Sequence, residues 1–209
     1  MKNRISVKIS AIAILLFLIA TSTNLQARPQ HLVRNQGFFY AFEGFHSIHE
    51  KLSSSFVINT DAFSPLSYGF KASANWFVNY HMSVGAGLGL INYESPRMFT
   101  FPVVANTQFY LSEGSDTPFA YAEGGYGFRA NHKNQDKGLI YELGLGYRYR
   151  IKWENFLVVK VGYHYFKNNQ WEYRRRLQQP IDPLNLYEWT DLKRQTISIS
   201  LAFYYSTRY

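Results

Sequence analysis

The segment Tyr141–Phe166, YELGLGYRYRIKWENFLVVKVGYHYF, sets charged residues inside runs that are otherwise aromatic and aliphatic. With a period of two, Tyr141, Leu143, Leu145, Tyr147, Tyr149 and Ile151 share one face of a strand, and Glu142, Gly144, Gly146, Arg148 and Arg150 share the other. After the break KWEN the alternation resumes, with Leu157, Val159, Val161, Tyr163 and Tyr165 set against Val158, Lys160, Gly162 and His164. One face of this hairpin suits hydrocarbon, and the other needs polar partners.

The same period recurs along the chain in segments of about ten to fourteen residues. It predicts eight strands, at 37–47, 66–77, 82–94, 98–111, 117–129, 138–151, 156–166 and 194–206. Short connections follow the second, fourth and sixth strands (VNYH, SEGSD, KWEN), while those after the first, fifth and seventh are longer, the span 167–193 most of all. The short ESPR link after the third strand is the exception. Alternation of tight turns and long loops is the habit of a transmembrane barrel, whose even strand number returns both termini to the turn side.

A soluble barrel would turn the bulky face inward, but an eight-stranded interior is only wide enough for side chains to fill. Five or so large residues on every strand exceed that space. The inverted arrangement keeps glycines, small polar groups and a few charges inside and leaves the aliphatics and aromatics for lipid. The expected fold is therefore all-β, an eight-stranded antiparallel up-and-down transmembrane β-barrel. Pro102 brings no N–H to a ladder and should mark a bulge or local break. Phe56-Val57-Ile58, in the first long connection, is left either as an extension of the second strand or as a small hairpin.

The chain begins with Lys2, Arg4 and Lys8, an apolar run from Ile9 to Ala20 and a polar stretch ending Leu25-Gln26-Ala27. That is the layout of a cleaved signal peptide over 1–27, with too short a run for a spanning helix. Residues 28–209 then form the barrel domain. Removal of those three basic residues, with no acidic ones, takes the formal net charge from +8 to +5. Aromatic residues make up 18% and charged residues 17%, a balance that disfavours an exported soluble domain. With no cysteine, disulfides and thiolate metal sites are excluded.

Several stretches resemble the small outer-membrane β-barrel proteins, in particular the barrel-domain group common in Bacteroidetes and distantly OmpX-like or OmpW-like. They are MSVGAGLGL at Met82–Leu90, FAYAEGGYGF at Phe119–Phe128, LIYELGLGYRYRI at Leu139–Ile151, FLVVKVGYHYF at Phe156–Phe166 and the final SISLAFYYSTRY. The resemblance implies a monomeric Gram-negative outer-membrane location with both termini periplasmic. It implies contact with outer-membrane lipid and lipopolysaccharide, and handling by the barrel-assembly machinery. In the final strand Ile197, Ile199, Leu201, Phe203, Tyr205 and Tyr209 keep one parity and resemble the signal that machinery reads, although Ser206-Thr207-Arg208 separates Tyr209 from the strand.

Parity turns Glu43, Glu123, Glu142, Lys71, Arg129, Arg148, Arg150, Lys160 and His164 inward. Both signs would then share a narrow interior where isolated charges are costly, so a paired network is expected, with Glu123 a diagonal neighbour of Arg148 and His164 near Glu142. Lipid-modifying barrels pair a His with a Ser two residues later, but here that position is Phe166. Gly85, Gly87 and Gly89 read as small lumen residues rather than a phosphate loop. The run Arg174-Arg175-Arg176 belongs to an external basic loop, suited to lipopolysaccharide phosphate or water and not to nucleic acid. These readings predict no enzyme and no cofactor, but a barrel acting through its loops or in envelope integrity. The alternatives are a small porin-like or hydrophobic-solute transport barrel and, after it, a lipid-modifying enzyme.

Overall fold

A computed structural model of the chain describes residues 35–54, 66–94, 98–129, 137–152, 155–174 and 187–207. All of them belong to the unit Val33–Tyr209; the second unit, Met1–Leu32, which contains the expected signal peptide, lies outside the described residues. The strands are β1 (Phe38–Ser54), β2 (Leu66–Asn79), β3 (Met82–Tyr93), β4 (Met98–Tyr110), β5 (Thr117–Arg129), β6 (Lys137–Lys152), β7 (Asn155–Arg174) and β8 (Tyr187–Thr207). Each pairs antiparallel with its sequence neighbours, and β8 pairs with β1 to close the barrel. Around the closed ring each strand has a ladder partner on both sides, and only the extensions of β1, β7 and β8 toward the loop end pair on one side alone.

Around the barrel, the ladder register from Phe119 of β5 through Gly146, Lys160, Ser200, Phe45, Gly69, Ile91 and Thr100 returns to β5 at Arg129, ten residues from the start. This stagger tilts the strands and fixes the bore. The starts of β1, β3, β5 and β7 and the ends of β2, β4, β6 and β8 share one end, here the turn end. There Tyr80-His81 joins β2 to β3, and Leu111–Asp116 joins β4 to β5. The chain enters β1 at Gly37, whose φ of 81° lies in the left-handed region that glycine adopts without strain.

The faces alternate as expected. Leu143, Leu145, Ile197, Ile199, Leu201 and Phe203 point outward, Leu145 being 68% exposed, while Glu142, Arg148, Lys160 and Ser198 are buried inside. Three strands are longer than the sequence pattern suggests. β1 runs on to Ser54, and β7 and β8 replace most of the expected 167–193 loop, pairing as far as Arg174 with Tyr187 after a register shift between Asn168 and Trp171. The reason is that ladder hydrogen bonds need no side-chain pattern, so strands continue through KNNQWEYR after the apolar alternation has ended.

Arg174 therefore stands on a strand, correcting its placement in a loop; Arg175, Arg176, Tyr209 and Phe56-Val57-Ile58 lie outside the described residues. Pro102 faces inward on a continuous β4, opposite Gly127 of β5. Toward β3, pairing stops between Leu88–Val103 and Ile91–Thr100 and resumes in unchanged register. The proline thus makes a local break without a bulge, where it brings no N–H.

Candidate functional site

The lumen is filled in layers, and its middle layer is ionic. The β1–β2 ladder places Glu43 opposite Lys71, β5–β6 places Glu123 opposite Glu142, and β6–β7 places Glu142 opposite His164. Two carboxylates facing one another across a ladder repel unless a cation lies between them. Lys71 supplies it from across the bore, donating to Glu123 Oε1 at 2.9 Å and Glu142 Oε2 at 3.3 Å, with Glu43 Oε1 at 3.7 Å. Lys160 donates to Glu43 Oε2. The side chains of these six residues are all at least nine-tenths buried.

Glu142 is the most heavily used acceptor. Its Oε1 receives Tyr121 Oη at 2.6 Å and Ser198 Oγ at 2.8 Å, and its Oε2 lies 3.3 Å from His164 Nδ1. Tyr121 reaches it across Gly144, its partner on β6, and over Gly162 on β7, where a Cβ would collide with that hydroxyl and with the carboxylate. On its other edge His164 Nε2 lies 3.4 Å from Tyr93 Oη. Ser198 thus donates to a carboxylate, and His164 contacts Glu142 and Tyr93 rather than a serine. The arrangement gives each carboxylate a lysine partner and fills the bore. A cavity with room for about one water adjoins it, lined by Glu43, Ser73, Asn106, Gln108, Lys160 and Tyr204 among others. Among the described residues no group of His, Asp and Glu is placed to hold a metal ion.

Apolar layers close both sides. Toward the turn end lie Phe39, Phe77, Tyr110, Phe119, Phe156 and Tyr204; toward the loop end lie Phe45, Ile91, Tyr93, Met98, Ile140 and Phe166. Each layer also holds one arginine. Arg194 sits with its guanidinium 4.8 Å from the Tyr93 ring centre. Arg148 lies 4.6 Å from the ring centres of both Tyr110 and Phe156. Its Nη2 donates to Asn35 Oδ1 at 2.5 Å and to the Gly114 carbonyl at 2.8 Å, and its Nε to the Ser115 carbonyl at 3.1 Å. Asn35 Nδ2 in turn donates to the Tyr80 carbonyl at 2.7 Å.

The expected network is therefore divided. Glu43, Lys71, Glu123, Glu142, Lys160 and His164 come together, with His164 beside Glu142 as parity suggested. Arg148 does not join them. The register sets it opposite Thr117, six residues from Glu123 along β5, so the expected Glu123–Arg148 contact is corrected. Arg150 is also at the turn end, where its backbone N–H donates to Asp116 Oδ1 at 2.6 Å. Arg129 ends β5 opposite Thr100, and its side chain lies outside the described residues. Sequence reasoning missed Tyr121, Ser198, Arg194 and Asn35. The first three share lumen parity with the named charges and were open to the same argument. Asn35 precedes the first strand and carries no periodic signal.

On β8, Ile199, Leu201, Phe203 and Tyr205 all face outward and are exposed. The fold and the lumen define a closed eight-stranded barrel, apolar without and filled within by an ionic layer between two layers of apolar side chains. No family model and no curated protein matches the chain. Among solved structures it is similar to Neisserial surface protein A, at 14% identity over 82% of this chain and all of that one, with a TM-score of 0.45.

Proposed function

We propose that the protein is an integral outer-membrane barrel with a sealed lumen, non-enzymatic, whose work is done by its external loops or by its contribution to the envelope. The observation that carries this reading is the inverted distribution of side chains. Large apolar residues on alternate positions of every strand are exposed, from Phe42 and Phe70 through Leu88, Val103 and Tyr126 to Leu143, Val161 and Leu201. A continuous apolar wall of this extent is untenable in water and matches a hydrocarbon surround.

In this reading the chain is a monomer in the outer membrane of a Gram-negative bacterium, with the turn end and both termini periplasmic. Its partners are membrane lipid and lipopolysaccharide and, during biogenesis, the assembly machinery that reads Ile199, Leu201, Phe203 and Tyr205. The transport alternative needs an open path, and the two apolar layers and the ionic layer between them argue against one. The test is fractionation of expressing cells, with gel mobility compared before and after boiling. Recovery in the outer membrane with heat-dependent mobility is expected; a soluble periplasmic protein would contradict the reading.

A further inference from the structure

The outer wall carries a charge pattern that the lumen does not explain. Toward the loop end the outward-facing residues of β6 and β7 run apolar as far as Lys137 and Lys167, and on β8 Gln195 stands between Ile197 and Lys193; β7 and β8 continue beyond these lysines. Lys167 and Lys193 stand directly opposite one another across the β7–β8 ladder. Lys137 lies on β6 two residues beyond Leu139, which pairs with Lys167. The ten-residue stagger, spread over the eight strands, lifts each successive strand by roughly one residue and so brings the three ammonium groups level.

One register step nearer the middle of the barrel, Tyr141 stacks on Tyr165 with ring centres 4.6 Å apart and planes 19° apart. The Lys137 ammonium lies 5.6 Å from the ring centre of Tyr126. Going toward the loops, this wall therefore reads aliphatic (Leu143, Ile197), then aromatic on β6 and β7 with Gln195 beside them on β8, then cationic. At the same end of β3 and β4 the outward residues are Asn92 and Phe99, so the cations belong to one side.

Tyrosines mark the depth at which hydrocarbon gives way to headgroups, and lysine stems lie along apolar surface while their ammonium groups reach outward. Cations held at one depth beside an apolar wall attract anionic headgroups, each basic residue near the surface adding to that attraction. We infer that Lys137, Lys167 and Lys193 form a binding site for a phosphate-bearing lipid headgroup on the outer wall of β6–β8, seated above the Tyr141–Tyr165 pair. The site rests on the membrane reading given above. It binds phosphate by charge, and it selects lipid over free phosphate because the acyl chains lie against the adjoining apolar wall.

The full chain is refolded in vesicles of phosphatidylcholine, with and without phosphatidic acid, and flotation establishes insertion. Lipid retained after transfer to detergent is then measured by native mass spectrometry. The wild type should retain phosphatidic acid in preference to phosphatidylcholine and keep it in excess inorganic phosphate. Each Lys→Gln change at 137, 167 or 193 should lower retention about fivefold. Lys193→Arg should preserve it, as should Lys133→Gln. A triple Lys→Gln variant that floats, shows heat-dependent mobility and retains phosphatidic acid like the wild type would overturn the site. Displacement by inorganic phosphate would overturn the lipid assignment. Failure of the wild type to float with phosphatidylcholine vesicles contradicts the membrane reading instead, and the proposal with it.

Discussion

Lys71 and Arg148 are both buried in the same lumen, in adjacent layers, and their charges are met by different chemistry. Lys71 stands among three carboxylates, Glu43, Glu123 and Glu142. Arg148 is held by one amide and two carbonyl oxygens between two aromatic rings. The compact ammonium of lysine is strongly hydrated, and removing it from water calls for full opposite charges. The planar guanidinium is less hydrated, spreads its donors in a fixed fork and stacks on rings, so partial charges suffice. The two sites also do different work. The Lys71 layer neutralises carboxylates brought face to face by the register. The Arg148 layer draws the β4–β5 turn and the segment before β1 beneath the barrel, where Ser115 and Asn35 are buried.

Breaking the Lys71 side of this comparison should have the largest effect. Glu142→Ala leaves Lys71 short of a carboxylate and Tyr121 without its acceptor. It should destabilise the refolded barrel by about 3–5 kcal/mol, read as a lower urea midpoint in lipid vesicles. Arg148→Lys keeps the charge but loses the planar fork whose Nε and Nη2 reach Ser115, Gly114 and Asn35 separately, and a loss of about 2–3 kcal/mol is expected in the same assay. A loss as large as that of Glu142→Ala would mean that the two layers depend on one another.

Asn35→Ala sharpens the contrast, because it removes one acceptor of Arg148 and one anchor to the Tyr80 carbonyl while leaving the strands intact. About 1–2 kcal/mol is expected, with faster proteolysis before Gly37 and no change in the central layer. Lys133→Ala, in the connection after β5, sets the floor and should stay within about 0.5 kcal/mol of the wild type.

The lumen membership of Lys71, Glu142 and Lys160 was legible because parity alone decides which face a strand residue takes, and a one-residue slip would have sent Leu143 and Leu145 inward. Their partners were not legible in full. Glu142 and His164 sit opposite each other across a tight hairpin, and the short KWEN link was enough to place them near one another. Glu123 and Arg148 are also on neighbouring strands, but 130–136 join those strands through a longer connection, and its length leaves the register open by several residues. The contact of Lys71 with Glu142 joins β2 to β6 across the bore, and only closure with a ten-residue stagger brings them together. Asn35 lies before the periodic pattern begins. The extensions of β1, β7 and β8 escaped for the complementary reason, since their ladders continue where alternation gives no signal.

Among the described residues an ionic layer and the two aromatic layers beside it fill this barrel. Planar-bilayer recording of the refolded wild-type chain tests it most directly. Insertion with no resolved conductance steps is predicted, and steps should appear when Glu142→Ala loosens the ionic layer. Sustained single-channel steps from the wild type would contradict a sealed lumen and favour the transport reading.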